Sequence, residues 1–167
     1  MNEAEVVTKI IKERRSVRRF RRNPVPKEII EDIVDCGRMA PSARNDQPWE
    51  FVVVTNQTTR EEVAAAATYG KFIADAPVLI AAFARPTRWF VEDTCAAVEN
   101  MLIAAKAYGL STCWVAGQNA EYAREVSQIL GAPDSVRLVA LIAMGYSHHD
   151  PKPFKRPLEE VLHWERF

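Results

Sequence analysis

The chain predicts a single domain of alternating helices and strands, and three observations predict it. Apolar residues recur at helical spacing in several stretches, short continuous apolar runs lie between them, and prolines and glycines punctuate the joins. At 167 residues and 48% hydrophobic, the chain is long enough for one substantial core and too short for two comfortable ones, so residues 1–167 are read as one unit. Taken alone, the alternation suggests a parallel α/β sheet.

Each element has its own signal. Val6, Val7, Ile10 and Ile11 make the first dozen residues an amphipathic helix. Pro26 suits a helical first turn, Ile29, Ile30, Ile33 and Val34 supply the apolar face of a second helix, and Pro41 stops it. Phe51 to Val54 reads as a strand, Thr59 to Thr68 as a helix, and Val78 to Ala84, an apolar run between Pro77 and Pro86, as a buried strand.

Thr87 to Tyr108 is the longest helical pattern, with Gly109 as its stop. Its stripe of Val91, Cys95, Val98, Leu102 and Ala105 is flanked by Ala96, Ala97, Met101 and Ala104, so it is apolar on more than one side. It reads as central and as part of a dimer interface. Thr112 to Val115 is a strand broken by Ala116-Gly117, Glu121 to Leu130 a helix, and Val136 to Met144 the last strand. From Ser147 the chain is polar, and Pro151, Pro153 and Pro157 favour an extended course.

Composition excludes several classes. Twenty-two basic and twenty-two acidic residues balance, which removes any global pull towards nucleic acid or anionic membrane. No apolar stretch approaches a membrane span, and the charged start, MNEAEVVTKIIKERR, lacks a signal-peptide core. Cys36, Cys95 and Cys113 lack CxxC spacing and read as reduced, buried residues of a cytoplasmic protein. His148-His149 has no partners at metal-ligand spacing, so no metal is assigned. Ser42 has no nucleophile context, and Glu92, Asp93 and Glu99 read as a solvated or capping helix face. With six glycines, no GxGxxG and no Walker loop, a resident dinucleotide site is excluded.

Three segments carry the chemistry. Eight Lys/Arg stand against one acid between Lys9 and Arg22, a local cation excess that suits a compact anion such as a phosphate. Pro41-Ser42-Ala43-Arg44-Asn45-Asp46-Gln47-Pro48-Trp49 brackets small and amide side chains between prolines, ahead of a strand. The tail holds Lys155-Arg156 before Pro157-Leu158-Glu159-Glu160-Val161.

In order along the chain, these segments resemble the R-x-S-x-R/K-x-F, P-S-x-x-N-x-Q-P-W and late basic P-L-E-E-V patterns of the FMN-dependent nitroreductase family. The resemblance implies an α+β fold, with a mixed, largely antiparallel sheet covered by helices, in an intertwined homodimer. It implies FMN as cofactor, NADH or NADPH as transient donor, and a nitroaromatic, quinone or related small-molecule acceptor reduced by alternating occupancy of one site. Arg14, Arg15, Ser16, Lys155 and Arg156 are then expected around the phosphate and ribityl end, and Arg18 near the pyrimidine edge. Pro41, Ser42, Ala43 and Asn45 are expected to line the flavin from the partner subunit, with Gln47 beside them. Backbone N–H groups of Val115, Ala116 and Gly117 are expected to face N5. No catalytic side chain is assigned, because a flavin enzyme of this kind needs no fixed protein acid or base.

Relatives on this fold also carry out reductive dehalogenation, flavin breakdown and oxidation of peptide heterocycles, so the resemblance leaves the reaction open. A module that stores or senses FMN without turnover would share the same contacts. A basic-arm nucleic-acid binder is the remaining alternative, and the neutral overall charge opposes it. The Thr87-Arg88-Trp89-Phe90 stretch is too compact to supply the helical insert that longer family members place over the flavin.

Overall fold

A computed structural model describes residues 2–167. Two strands at its centre set the architecture. β2 (Val78–Ala84) is buried along its whole length, and β4 (Arg137–Gly145) is buried at every position after Arg137. They pair antiparallel, with β1 (Trp49–Val54) outside β2 and β3 (Ser111–Ala116) outside β4, giving the order β1-β2-β4-β3.

Every strand pair is antiparallel, which overturns the parallel sheet that periodicity alone suggests and agrees with the α+β expectation. The physical reason is that helices cover both faces. Continuous apolar runs report two-sided burial, which parallel sheets usually have but do not own. The described parallel pairing is an isolated bridge between Ser16 and Thr112.

The described residues form five α-helices, α1 (Glu3–Glu13), α2 (Lys27–Arg38), α3 (Gln57–Ala66), α4 (Phe90–Ala107) and α5 (Ala123–Ile129), of which α2 to α5 make the two layers. On one face, Ile30 and Ile33 of α2 and Val98, Met101, Leu102 and Ala105 of α4 pack on Val78, Ile80 and Ala82 of β2 and Ala140, Ile142 and Met144 of β4. On the other, Val63 and Ala64 of α3 and Val126 of α5 pack on Leu79, Ala81, Phe83, Leu138, Leu141 and Ala143. The alternation slips by one residue at Val139, because Ala82 faces Ala140 while Phe83 faces Leu138. This bulge twists the strand where β3 ends.

Local chemistry moves several boundaries. α3 starts earlier than Thr59 because the Asn56 carboxamide accepts the Thr59 N–H (3.0 Å). α4 starts at Phe90 rather than Thr87, since Thr87 N–H closes a tight turn onto the Arg85 carbonyl (2.8 Å). The Tyr69 to Ala76 stretch contains a 3-10 turn over Lys71–Asp75. Gly109 ends α4 with a left-handed φ of 73°. Cys36 and Cys95 are half-buried rather than buried, because they lie on the flanks of α2 and α4; Cys113 is buried, and all three are free thiols.

α4 is the central helix, with Ala97, Val98, Met101, Leu102 and Ala105 buried. α1 differs: a capping box between Asn2 and Glu5 starts it, yet none of its residues is buried. Val6, Val7 and Ile11 are exposed, as are Phe154, Leu158, Trp164 and Phe167 of the tail.

Phe83 is 1% exposed inside the α3/α5 layer. Phe83→Ala is expected to cost about 3–5 kcal/mol in chemical denaturation.

Candidate functional site

The site is built on the outer edge of β3. Gly117 N–H donates to the Val139 carbonyl (3.1 Å), which fixes the phase of the β3–β4 pairing. In an antiparallel pair, alternate residues then turn their backbone groups away from the neighbour, here Thr112, Trp114 and Ala116. Thr112 uses its outward carbonyl to accept the Val17 N–H (2.8 Å), and the Ser16–Thr112 bridge seats the basic arm along the edge.

Where the arm leaves α1, it borders a cavity of about 610 Å³. Arg14, Arg15, Lys106 and Lys152 line it against two acids, Glu13 and Asp150, with Ser147, His148 and His149 completing the wall. Arg14 is half-buried, and its Nε lies 3.3 Å from Glu99 of α4, which orients the guanidinium while leaving its Nη groups free of other described bonds. Arg15 donates through Nη1 to the carbonyls of Lys12 (2.6 Å) and Arg14 (2.7 Å). Ser147 Oγ donates to the Arg19 carbonyl (2.6 Å) and accepts from His149 N–H (3.0 Å), tying the start of the tail to the arm.

The predicted residues do not all converge. Arg14 and Arg15 meet the tail at Lys152 and Pro153, whereas Lys155 and Arg156 are exposed and outside that wall. Arg18 is exposed, with its guanidinium 5.9 Å from the Phe72 ring centroid. Sequence reasoning missed Lys106, Ser147 and Lys152. Lys152 stands three residues before Lys155 in the same basic tail, so its charge was the available signal.

The Val115-Ala116-Gly117 turn has a narrower capacity than expected. The Gly117 amide is spent on Val139, Val115 faces β4, and the Ala116 carbonyl accepts the Tyr122 hydroxyl. That leaves the Ala116 N–H as the outward donor. A Cβ at Gly117 would sit 2.7 Å from Leu138 Cγ and 2.9 Å from the Val139 carbonyl carbon, so packing on β4 is what requires glycine there.

Pro41 to Gln47 lies elsewhere on the surface, between α2 and β1. Ala43, Arg44 and Asn45 form a 3-10 turn, and Arg44, Asn45 and Gln47 have φ of 55°, 59° and 44°. Ser42 Oγ accepts the Gln47 N–H (3.0 Å). Asp93 corrects an expectation: it is 7% exposed, not solvated, and its Oδ1 accepts the Ala43 N–H (3.0 Å). A carboxylate in a first helical turn reads as a cap, and this acceptor is reached only through the fold. Glu99 pairs with Arg14, as noted, and Glu92 is exposed.

The Cys113 thiol, buried in β3, is pushed up by desolvation, against the pull of Arg18 and Arg14. It therefore stays protonated near neutrality, which argues against a nucleophilic role. Among the described residues, no helix is long and apolar enough to cross a membrane.

Comparison with known proteins places these features in a family. The model of the nitroreductase family matches residues 11–70 and 64–146. A protein of Methanothermobacter thermautotrophicus, provisionally named NADH dehydrogenase/NAD(P)H nitroreductase, is 32% identical over 87% of this chain and 79% of its own length. A Desulfovibrio desulfuricans protein provisionally called a nitroreductase and solved in complex with FMN superposes with a TM-score of 0.84, at 30% identity, over 100% of this chain and 99% of its own. An iodotyrosine deiodinase of Thermotoga neapolitana is 27% identical over 92% of this chain and 94% of its length. With its antiparallel sheet, its arm seated on β3 and a family match running through both, the chain belongs to the nitroreductase family.

Proposed function

We propose that the chain is an FMN-dependent oxidoreductase that takes reducing equivalents from NADH or NADPH and delivers them to a nitroaromatic, quinone or related acceptor. The observation that carries this reading is the cationic cavity of about 610 Å³ where Arg14, Arg15, Lys106 and Lys152 meet beside the β3 edge. Its size and donor set suit a phosphate with part of a ribityl chain, and guanidinium groups bind phosphate oxygens bidentately.

Bound FMN would supply reversible two-electron chemistry, accepting a hydride from one ligand and giving it to the next. The chain's residues supply the rest. Arg14, already oriented by Glu99, and Arg15 hold the anionic end, with Ser16 beside them. Lys155 and Arg156 join that end when the tail packs against a second copy. Arg18 brings positive charge towards the pyrimidine edge by leaving Phe72. The Ala116 N–H is the backbone donor that the β3 edge leaves available for N5. Pro41, Ser42, Ala43, Asn45 and Gln47 contribute from the partner subunit. Donor and acceptor bind in turn at one face, so the protein orients and excludes water rather than transferring protons through a dedicated acid or base.

The homodimer in this reading is supported by surface that one chain leaves bare: the apolar side of α1 and the tail aromatics Phe154, Trp164 and Phe167. Reductive dehalogenation is the second reading, favoured by the deiodinase similarity over nearly the whole chain.

An anaerobic absorbance spectrum of protein loaded with FMN and freed of excess is expected to keep its flavin band and lose it rapidly on adding NADH or NADPH. A band that persists would favour storage or sensing, and no retained flavin would sink the proposal. Turnover of a nitroaromatic against 3-iodo-L-tyrosine by the reduced protein separates the two enzyme readings. Arg14→Ala and Arg156→Ala are each expected to weaken FMN binding by about 1.5–3 kcal/mol; unchanged dissociation constants in both would refute the phosphate assignment.

A further inference from the structure

The Pro41 to Gln47 loop is held in a conformation that Arg44 and Gln47 do not favour. Arg44, Asn45 and Gln47, none of them glycine, have φ of 55°, 59° and 44°. Such backbones persist only where surrounding contacts over-determine them. Inside the loop, the Asn45 and Asp46 N–H groups donate to the carbonyls of Ser42 and Ala43 (3.0 Å each), Gln47 N–H donates to Ser42 Oγ (3.0 Å), and Gln47 Nε2 donates to the Asn45 carbonyl (3.4 Å).

Two side chains from outside supply the rest. Asp93, in the first turn of α4, accepts the Ala43 N–H through Oδ1 (3.0 Å) and grips the start of the loop. Arg85, just beyond β2, donates through Nη2 to the carbonyls of Asp46 (2.9 Å) and Gln47 (3.2 Å) and grips its end. The Arg85 N–H also donates to the Pro48 carbonyl (2.9 Å), so the grip is braced on the start of β1. Asp93 is an expensive residue for its place. It is 7% exposed, and its Oδ2 is buried without a hydrogen-bond partner among the described residues. A buried carboxylate with one idle oxygen contributes little to packing, so its use lies in the oxygen that is engaged.

We propose that Asp93 and Arg85 are positioning residues, a two-point clamp that keeps the Pro41 to Gln47 loop in its left-handed form and thereby sets the affinity of the flavin site to which the loop contributes. The second half of that statement rests on the FMN reading given above; the first does not. Neither residue touches the cofactor or the reacting atoms in this scheme. Their effect runs through the backbone they hold.

Arg44 provides a built-in reporter, because it is exposed and trypsin cleaves after arginine only when the local backbone opens. In FMN-free protein, Asp93→Ala and Arg85→Met are each expected to raise the rate of cleavage between Arg44 and Asn45 about tenfold, the scale of one lost charge-assisted hydrogen bond. Cleavage after Lys155 in the tail serves as the internal control and stays unchanged. Asp93→Asn retains a carbonyl oxygen for Ala43 and is expected to remain within about twofold of the parent. Arg85 is exposed, so its variant reports even if Asp93→Ala fails to fold. In loaded protein, the FMN dissociation constant is expected to rise by a similar factor in Asp93→Ala and Arg85→Met.

Parent-like cleavage at Arg44 in both disruptive variants overturns the clamp, and so does an Asp93→Asn variant as labile as Asp93→Ala. Faster cleavage with an unaltered FMN dissociation constant overturns the link to the flavin site while the clamp stands. If the parent protein retains no FMN but Arg44 cleavage follows the expected order, the cofactor reading has failed and the clamp has not.

Discussion

The phase of the β3–β4 pairing is the constraint on which the candidate site depends. The ladder from Ser111–Gly145 to Ala116–Ala140, continued by the bond from Gly117 N–H to the Val139 carbonyl, decides which backbone groups of β3 look inward and which look out. Thr112 looks out and captures Val17, so the cation-rich arm is fixed on a strand rather than trailing from a helix. The bulge at Val139 supplies the acceptor, since its carbonyl takes both the Gly117 and the Gln118 amides. A one-residue slip in this pairing would bury the outward groups and release the arm together. Fold and site share one register.

Much of this was legible in the residues, and the limits are physical. Helices α1, α2 and α4 announced themselves by apolar spacing, and β2 and β4 by unbroken apolar runs. Strand direction was not legible, because a strand buried on both faces has no alternation from which to infer its neighbours. Asp93 was misread for a related reason: its partner lies 50 residues away in sequence, and only the packing of the loop against α4 brings the two together. The left-handed turn was partly visible at Asn45, a residue type that tolerates it, but nothing about Arg44 or Gln47 announced the same conformation. The arm and loop motifs marked which segments matter. They did not reveal that the Gly117 amide is consumed by the sheet, or that Lys152 rather than Lys155 lines the cavity.

The two halves of the proposed flavin environment sit in different regions of one chain. Arm and tail gather at the β3 edge, while the loop sits between α2 and β1, near the opposite edge of the sheet. That separation suits a site completed by a second copy, in which each chain lends its loop to the other. In such an assembly the bare side of α1 and the exposed tail would be surfaces for the second copy to cover. Binding and assembly would then be linked equilibria, each drawing the other forward.

The two central strands also govern how the chain behaves before it is folded. Val-Leu-Ile-Ala-Ala-Phe-Ala, the whole of β2, is uncharged, wholly apolar and free of proline, the composition of a segment that self-associates when unpaired. Its antiparallel neighbour β4 lies more than fifty residues downstream, so a growing chain exposes β2 well before its main partner has been made. Asp75 and Pro77 precede it, and Arg85 and Pro86 follow. These are the charges and ring-locked backbones that interrupt stacking between identical strands. On this view Arg85 acts twice in the life of the molecule: first as a gatekeeper against aggregation during synthesis, and afterwards as an anchor in the finished fold.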